Sequence, residues 1–407
     1  MSIRFISRSR QSMQRLGFCK AVLAFSDLAN TGSQMSQIIQ TKLETHKFPV
    51  EYDKDLISWL KIDEQAINSK STVQASLQNL YIFRHPSQAG RLSKLAVNEY
   101  VEFFPRGLGL VTNSYKPTDM GVVLSRGIMT KNDYAAFTHP SEHNPLILEP
   151  SEQAFFLYNI LWADGDFMLP FCKTLINAFG DNNFNYLDAG LLVPGVIENM
   201  LERFGSSVYT STDRAQIQTL HRARNKIIQN IEEKAEEKGS GSRREQTTVP
   251  RLEWLLDLGA LEKSGPRTWA FTESGLKLIS LAQDYDVAME THYPDNVIKH
   301  ILDSRFFGFL CDYFGVLKNE DTTSEDFMDF IRPAYKSTIS AGGYSLFRPL
   351  LLLSTIMSIV SKRRGVFYEY EEAVRILEET FQSDPSKLQY TIDRFNTDYQ
   401  IKMYSSH

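Results

Sequence analysis

Apolar residues along this chain recur mostly at helical spacing, and twice that rhythm gives way to the same short figure. Val73, Leu77, Leu80 and Tyr81 stand three or four apart before the breaker His85-Pro86. From Gln88 to Phe104, Leu92, Leu95, Ala96, Val101, Phe103 and Phe104 predict a helix with a broad inner face. Arg91, Lys94, Asn98 and Glu99 point elsewhere on it, and Pro105 stops it. Leu108-Gly109-Leu110-Val111 then leads through polar residues to Tyr115-Lys116-Pro117-Thr118-Asp119-Met120-Gly121. The figure returns downstream. Thr247-Thr248 predicts the cap of a helix with Pro250 in its first turn and Leu252, Leu255 and Leu256 facing inward. Leu258-Gly259-Ala260-Leu261 follows, then Trp269-Ala270-Phe271-Thr272-Glu273-Ser274-Gly275. Each copy reads as a helix end, a Gly that lets the backbone turn, a short strand, a polar hairpin, and a second strand whose Thr starts another helix.

The remaining elements are read more coarsely. Helices are expected over Gln153 to Trp162, Phe167 to Phe179 and Val196 to Phe204, with Asp164-Gly165-Asp166 as a loop of capping carboxylates rather than a metal pair. Asp213 to Lys238 reads as a long solvated helix carrying acid-base pairs three or four apart. The tract Gly239-Ser240-Gly241-Ser242-Arg243-Arg244 then reads as a flexible, basic hinge. Toward the C-terminus, helices are expected over Phe347 to Ser361, Tyr368 to Gln382 and Pro385 to Phe395, with a strand over Tyr399 to Met403.

Composition changes this picture little. At 407 residues, 42% hydrophobic and 23% charged, the chain is an ordinary globular sequence with room for two to four domains. Cys19, Cys172 and Cys311 have no paired spacing, which argues against a disulfide framework or a zinc site and for a reducing compartment. Pro349 to Val360 is too short to span a bilayer, so no membrane partner is expected. Arg4, Arg8, Arg10, Arg15 and Lys20 precede the first acid, Asp27, which gives two readings: an organelle transit peptide, or an amphipathic helix with Phe5, Met13, Leu16, Val22 and Leu23 on its inner side. The second is preferred, with a cytoplasmic location, nucleoid-associated in a bacterium.

Charge is distributed in alternation. Residues 84–131 hold seven Lys/Arg against three Asp/Glu, and residues 214–277 hold twelve against nine. Residues 132–213 hold two against eleven, and residues 278–344 five against eleven. Both repeated figures are therefore locally basic, and the acidity lies between them, although the chain as a whole carries −5. Basic modules on acidic connectors suit phosphate contact, because Lys and Arg near phosphates gain affinity by counterion release while distant acids are screened.

Both figures resemble the winged-helix branch of the helix-turn-helix superfamily, in which a recurrent ending runs Leu-Gly-Leu, hydrophobic, hairpin, aromatic, Thr, two residues, Gly. The likeness covers roughly 60 residues in each case. The hairpins differ in length: Gly109 to Thr118 is nine positions and Gly259 to Thr272 thirteen. The resemblance implies a mainly α fold of winged-helix modules with small β-hairpin wings on helical connectors. It also implies nucleic-acid binding through the helix before the wing and through the wing itself.

Carried onto this chain, Arg91, Lys94 and Asn98 would meet phosphates and base edges, with Arg106 and Lys116 along the backbone. In the second copy the candidates are Arg251 on the helix, Lys263 and Arg267 on the hairpin, and Arg243 and Arg244 in the tract, with Glu253 and Asp257 as opposing charges on the same helix. The part from Tyr344 on is either a third module, with Lys387, Gln389 and Arg394 on the helix nearest a groove, or a plain helical bundle. The domain map on this reading is an N-terminal helical region 1–70, a module 71–131, an acidic connector 132–212, a long helix, flexible tract and second module 213–285, an acidic region 286–343 and a C-terminal module 344–407.

Catalytic signals are sparse. The chain has no Gly-rich phosphate loop with Lys and Ser/Thr, no His-Glu-x-x-His and no Gly-x-Ser-x-Gly, so no cofactor is expected. His139 and His143 have no ligand-spaced partner. The leading expectation is a non-enzymatic protein that binds double-stranded DNA within a larger DNA-processing or genome-defence assembly. Two alternatives stay open: a structural subunit binding other proteins in a chromosome-associated or defence complex, and a nuclease-like enzyme with an unrecognised site.

Overall fold

The computed structural model describes residues 3–6, 15–45, 104–129, 147–205, 210–233, 243–265, 268–315, 375, 379, 389–395 and 398–404. In chain order the helices are α1 (Phe18–Ala24), α2 (Gly32–Thr45), α3 (Phe104–Gly107), α4 (Asp119–Val122), which runs on as a π-type turn over Val123–Ile128, and α5 (Pro150–Phe179). Strand β1 (Phe184–Asn185) leads to α6 (Tyr186–Gly205), α7 (Ser211–Glu233) and α8 (Arg243–Asp257). Then come β2 (Leu261–Gly265), β3 (Thr268–Phe271), α9 (Glu273–Leu276), α10 (Leu278–Thr291), α11 (Pro294–Ser304) and α12 (Phe306–Phe314). A separate hairpin pairs β4 (Gln389–Phe395) with β5 (Asp398–Tyr404). The described part is thus mainly helical, with one small antiparallel sheet in the order β1-β3-β2. Among the described residues no helix is long and apolar enough to cross a membrane.

The axis of the fold is α5. Pro150 at its first turn and a reciprocal capping box between Glu149 and Glu152 start it, and α6, α10, α11 and α12 pack around it. The expected break at Asp164-Gly165-Asp166 does not occur: the two predicted helices are one. Asp164 and Asp166 are fully buried inside it, where protein donors satisfy both carboxylates. Gly165 serves packing, since a Cβ there would lie 2.5 Å from Ile298 Cδ1 of α11. A local sequence reading sees two helix-poor acids around a Gly, but the tertiary partners override that preference.

Three further expectations are corrected. The predicted solvated rod is α7, and its stripe of Leu220, Ala223 and Ile227 is buried against α6 and α8. The helix expected to start at Thr247-Thr248 starts at Arg243, within the predicted flexible tract, so Pro250 lies in its interior and both threonines are buried. The predicted helix over Pro385 to Phe395 is β4 from Gln389 on, paired in register with β5 from Gln389↔Tyr404 to Phe395↔Asp398. Tyr390, Thr391, Ile392 and Phe395 favour a strand, and this run is the second strand that a local reading did not see beside the one expected over Tyr399 to Met403, which is β5. Residues 46–103, and with them the predicted helices before the first hairpin, lie outside the described residues.

The two repeated figures share one set of hydrogen bonds. Gly109 and Gly259 adopt φ of +68° and +78°, and the next amide reaches back to the helix: Leu110 N to Pro105 O at 2.7 Å, Ala260 N to Leu255 O at 2.8 Å. The chain then crosses itself. Val111 bridges Pro117 in the first copy, and β2 pairs β3 in the second. Thr118 N donates to Leu110 O at 3.0 Å and Thr272 N to Ala260 O at 3.1 Å. Their hydroxyls donate to Gly109 O at 2.5 Å and Gly259 O at 2.7 Å. The same hydroxyls accept the amides of Gly121 at 3.2 Å and Gly275 at 2.9 Å, starting α4 and α9. The hairpins differ in length, but the clasp at their base is the same.

Candidate nucleic-acid interface

The predicted cations separate into three groups. Arg251 and Lys263 are buried, Arg106 and Lys116 lie at the first hairpin, and the rest fall elsewhere. Arg91, Lys94, Asn98, Arg267 and Lys387 lie outside the described residues, and Arg243 and Arg244 form the first turn of α8. Gln389 and Arg394 are corrected from a groove-facing helix to strand β4, opposite Tyr404 and Tyr399.

Arg251 overturns its assignment as a phosphate contact. Its guanidinium has no solvent exposure and forms two bonds with Asp164, Nε to Oδ2 at 2.8 Å and Nη2 to Oδ1 at 2.9 Å. Nη1 donates to Thr247 O at 2.8 Å, Nη2 also to Ile6 O at 3.1 Å, and the Phe167 ring lies 4.3 Å beneath. The helix position looks exposed in sequence because α8 taken alone has an outer face. In the fold that face is covered, and every residue from Thr247 to Leu258 is buried.

Lys263 is corrected in the same way. It stands on β2 with Nζ 2.7 Å from Glu253 Oε1, and burial pushes its pKa down against the pull of that carboxylate. Glu253 and Asp257, expected to face outward, instead accept from Arg15, Glu253 at 2.5 Å, while Asp257 Oδ2 also takes the Leu16 amide at 2.8 Å. Arg251, Lys263, Glu253 and Asp257 are thus all paired inside the protein, Lys263 with Glu253 and the others with Asp164 and Arg15 from outside the module.

The basic N-terminal stretch, read as one side of an amphipathic helix, supplies much of that pairing. Lys20 pairs with Glu152 at 2.6 Å with both side chains buried, Arg15 reaches α8, and the amides of Arg4 and Ile6 donate to Asp166 and Asp164, each at 2.7 Å. None of these partners was assigned from the sequence. The available signal was complementarity between a stretch without acids and the most acidic segment of the chain, residues 132–213.

Of the predicted contacts whose side-chain burial the structure describes, the two not buried lie at the first hairpin. Lys116 is exposed on its returning arm, where its carbonyl accepts from Thr112 N at 2.8 Å. Arg106 is half-buried: its guanidinium lies 4.8 Å from the Tyr115 ring centre and donates to Tyr115 Oη at 2.8 Å and Asn113 O at 3.3 Å. It braces the hairpin from within, where Tyr115 holds a positive φ of 61°.

Burial of carboxylates has a pH consequence. Asp166 is pushed up to about 7 by burial, against the Arg4 amide and the Tyr285 hydroxyl, and Asp257 to about 6 by burial, against Arg15. Each folded value lies above the ordinary carboxylate value of about 4, so the stabilising contribution is full below that value and is lost as pH rises through about 6 to 7. The melting temperature is expected to fall by several degrees between acidic and mildly alkaline buffer, with Asp166→Asn flattening the upper part of the slope. A slope that Asp166→Asn leaves untouched would count against a neutral-range carboxyl at this position.

Among the described residues no three His, Cys, Asp or Glu side chains gather as metal ligands. Asp164 and Asp166 are instead held by Arg251 and by Tyr285, whose hydroxyl donates at 3.0 Å. Compared with known protein families, curated proteins and solved structures, the chain matches none.

Proposed function

We propose that this chain is a non-enzymatic contact protein built on modules of winged-helix type, in which the second module serves protein assembly and contact with duplex DNA, where it occurs, runs through the first hairpin. One observation carries this reading. The helix that the resemblance would send into a major groove, α8, is enclosed by its own protein, and Arg251 and Lys263 are neutralised by Asp164 and Glu253. A surface that contacts phosphate needs cations free to meet it. Asp181, Glu198 and Glu202 are exposed acids at and before α6, and Leu187 and Leu191 stand one turn apart on the same helix with 42% and 54% of their surface exposed. These features favour a protein partner over a polyanion.

A second reading keeps duplex DNA as the main ligand, because Lys116 is exposed on a hairpin of the kind that lies along phosphates. Anisotropy with a short labelled duplex separates the two. On the first reading binding at low salt is weak, falls as salt rises, and is lost in Lys116→Glu. Tight, salt-sensitive binding that survives Lys116→Glu would overturn it and return the contact to other cations. Either role fits a subunit of a DNA-processing, chromosome-associated or defence assembly. A nuclease-like activity is tested by incubating supercoiled plasmid with magnesium, and cleavage that co-purifies with the chain would replace both readings.

A further inference from the structure

Ile3–Ile6 meets the rest of the protein as a bound peptide would. Ile3 N donates to Gln216 Oε1 of α7 at 3.3 Å, Arg4 N to Asp166 and Ile6 N to Asp164 of α5, each at 2.7 Å, and Ile6 O accepts from Arg251 Nη2 of α8 at 3.1 Å. Three amides and a carbonyl are held by side chains, and Phe5 N folds back onto Ile3 O at 3.0 Å, so the main chain is recognised as a short turned segment. Two side chains add selectivity: the Arg4 guanidinium lies 4.0 Å from the Trp162 ring centre, and the Phe5 ring 5.5 Å from that of Phe167.

We infer that the surface formed by α5, α7 and α8 is a receptor for a short turned peptide of the pattern apolar, Arg, aromatic, apolar, and that Ile3–Ile6 is its resident, exchangeable occupant. The receptor is built independently of the segment. Asp164 is fixed by two bonds from Arg251 of α8, which packs on α6 and α7, and Asp166 by the hydroxyl of Tyr285 on α10, which packs on α5. The occupant is held less deeply. Arg4, Phe5 and Ile6 are only partly buried, whereas Arg15 to Leu23 is buried throughout. Release of the four residues therefore uncovers one buried apolar side chain, Ile3, beside three that are already partly exposed, and belongs to local opening rather than global unfolding. The inference is independent of whether DNA or protein is the partner proposed above.

The test uses the full chain carrying Arg4→Pro and Ile6→Pro, which lack both amide donors to the aspartates, and a labelled peptide with the sequence of residues 2–8. A tethered occupant competes at high effective concentration, so the peptide is expected to bind the variant about a hundredfold more tightly than the unaltered chain. Equal binding to both, or none to a variant that still melts cooperatively, overturns the inference. If the variant does not fold, hydrogen exchange in the unaltered chain decides. The Arg4 and Ile6 amides are expected to exchange well before those of α5, and exchange only together with α5 would make the segment a permanent part of the core.

Discussion

Gly275→Ala should destabilise the chain by about 3 kcal/mol or more, a large share of the roughly 5–15 kcal/mol that a folded domain holds in reserve. A Cβ at this position would lie 1.8 Å from the carbonyl oxygen of Ala260, 2.7 Å from its carbon and 2.9 Å from its Cα, all backbone atoms with no rotamer to escape into. Gly121→Ala meets the corresponding atom of the first clasp, Leu110 O, at 2.0 Å, with Leu23 Cδ2 at 2.9 Å. Both substitutions would push apart the turn that the Thr hydroxyl ties to its Gly carbonyl. The turn glycines behave differently. At Gly109 an added Cβ meets nothing within 4 Å, and at Gly259 it has ordinary contact with Gln153 at 3.4 Å, so only the positive φ opposes Ala, at about 1 kcal/mol. Denaturant melts of the four variants should rank Gly275 and Gly121 well above Gly259 and Gly109. A loss at Gly275 no larger than at Gly259 would show that the clasp yields.

That contrast marks what the sequence could reveal. The clasp is made of groups within about twenty residues of one another, and capping, αL turns and Thr start signals are short-range chemistry, so Leu-Gly and Thr-x-x-Gly were legible at both sites. The destinations of the charges were not. Arg251 finds Asp164, Lys263 finds Glu253 and Arg15 finds Asp257 across 87, 10 and 242 positions. Only Lys263 and Glu253 are near neighbours, and even these were read separately, one on a hairpin and the other on a helix. Asp164-Gly165-Asp166 shows the same limit from the other side: residue types that locally favour a loop sit mid-helix once Arg251 and Tyr285 supply donors and Ile298 fills the space at Gly165. Strand β4 of the C-terminal hairpin is hidden for a different reason, whereas its partner β5 covers the strand expected over Tyr399 to Met403. A helix over Pro385 to Phe395 is what Pro385 and the following polar residues suggest, although the β-branched and aromatic residues from Tyr390 to Phe395 fit a strand.

Arg251→Met carries the second large expected effect and bears directly on function. Removing the guanidinium leaves the Asp164 carboxylate buried without its cation, and breaking such a pair costs about 3–5 kcal/mol. Burial already pushes the Asp164 pKa up despite Arg251, so without that partner the side chain should take up a proton more readily still or distort α5. Asp164→Asn in the same background removes the stranded charge while keeping an oxygen for the Ile6 amide, so the double variant should be more stable than Arg251→Met alone. A positive coupling of this kind would identify Arg251 as a core residue that positions α5, α8 and the Ile3–Ile6 segment together. Duplex binding measured on the folded fraction should then be the same for the unaltered chain and for Arg251→Met, and should change with Lys116→Glu. If instead Arg251→Met melts like the unaltered chain and loses salt-sensitive DNA affinity, the guanidinium faces outward in solution and α8 is a recognition helix after all.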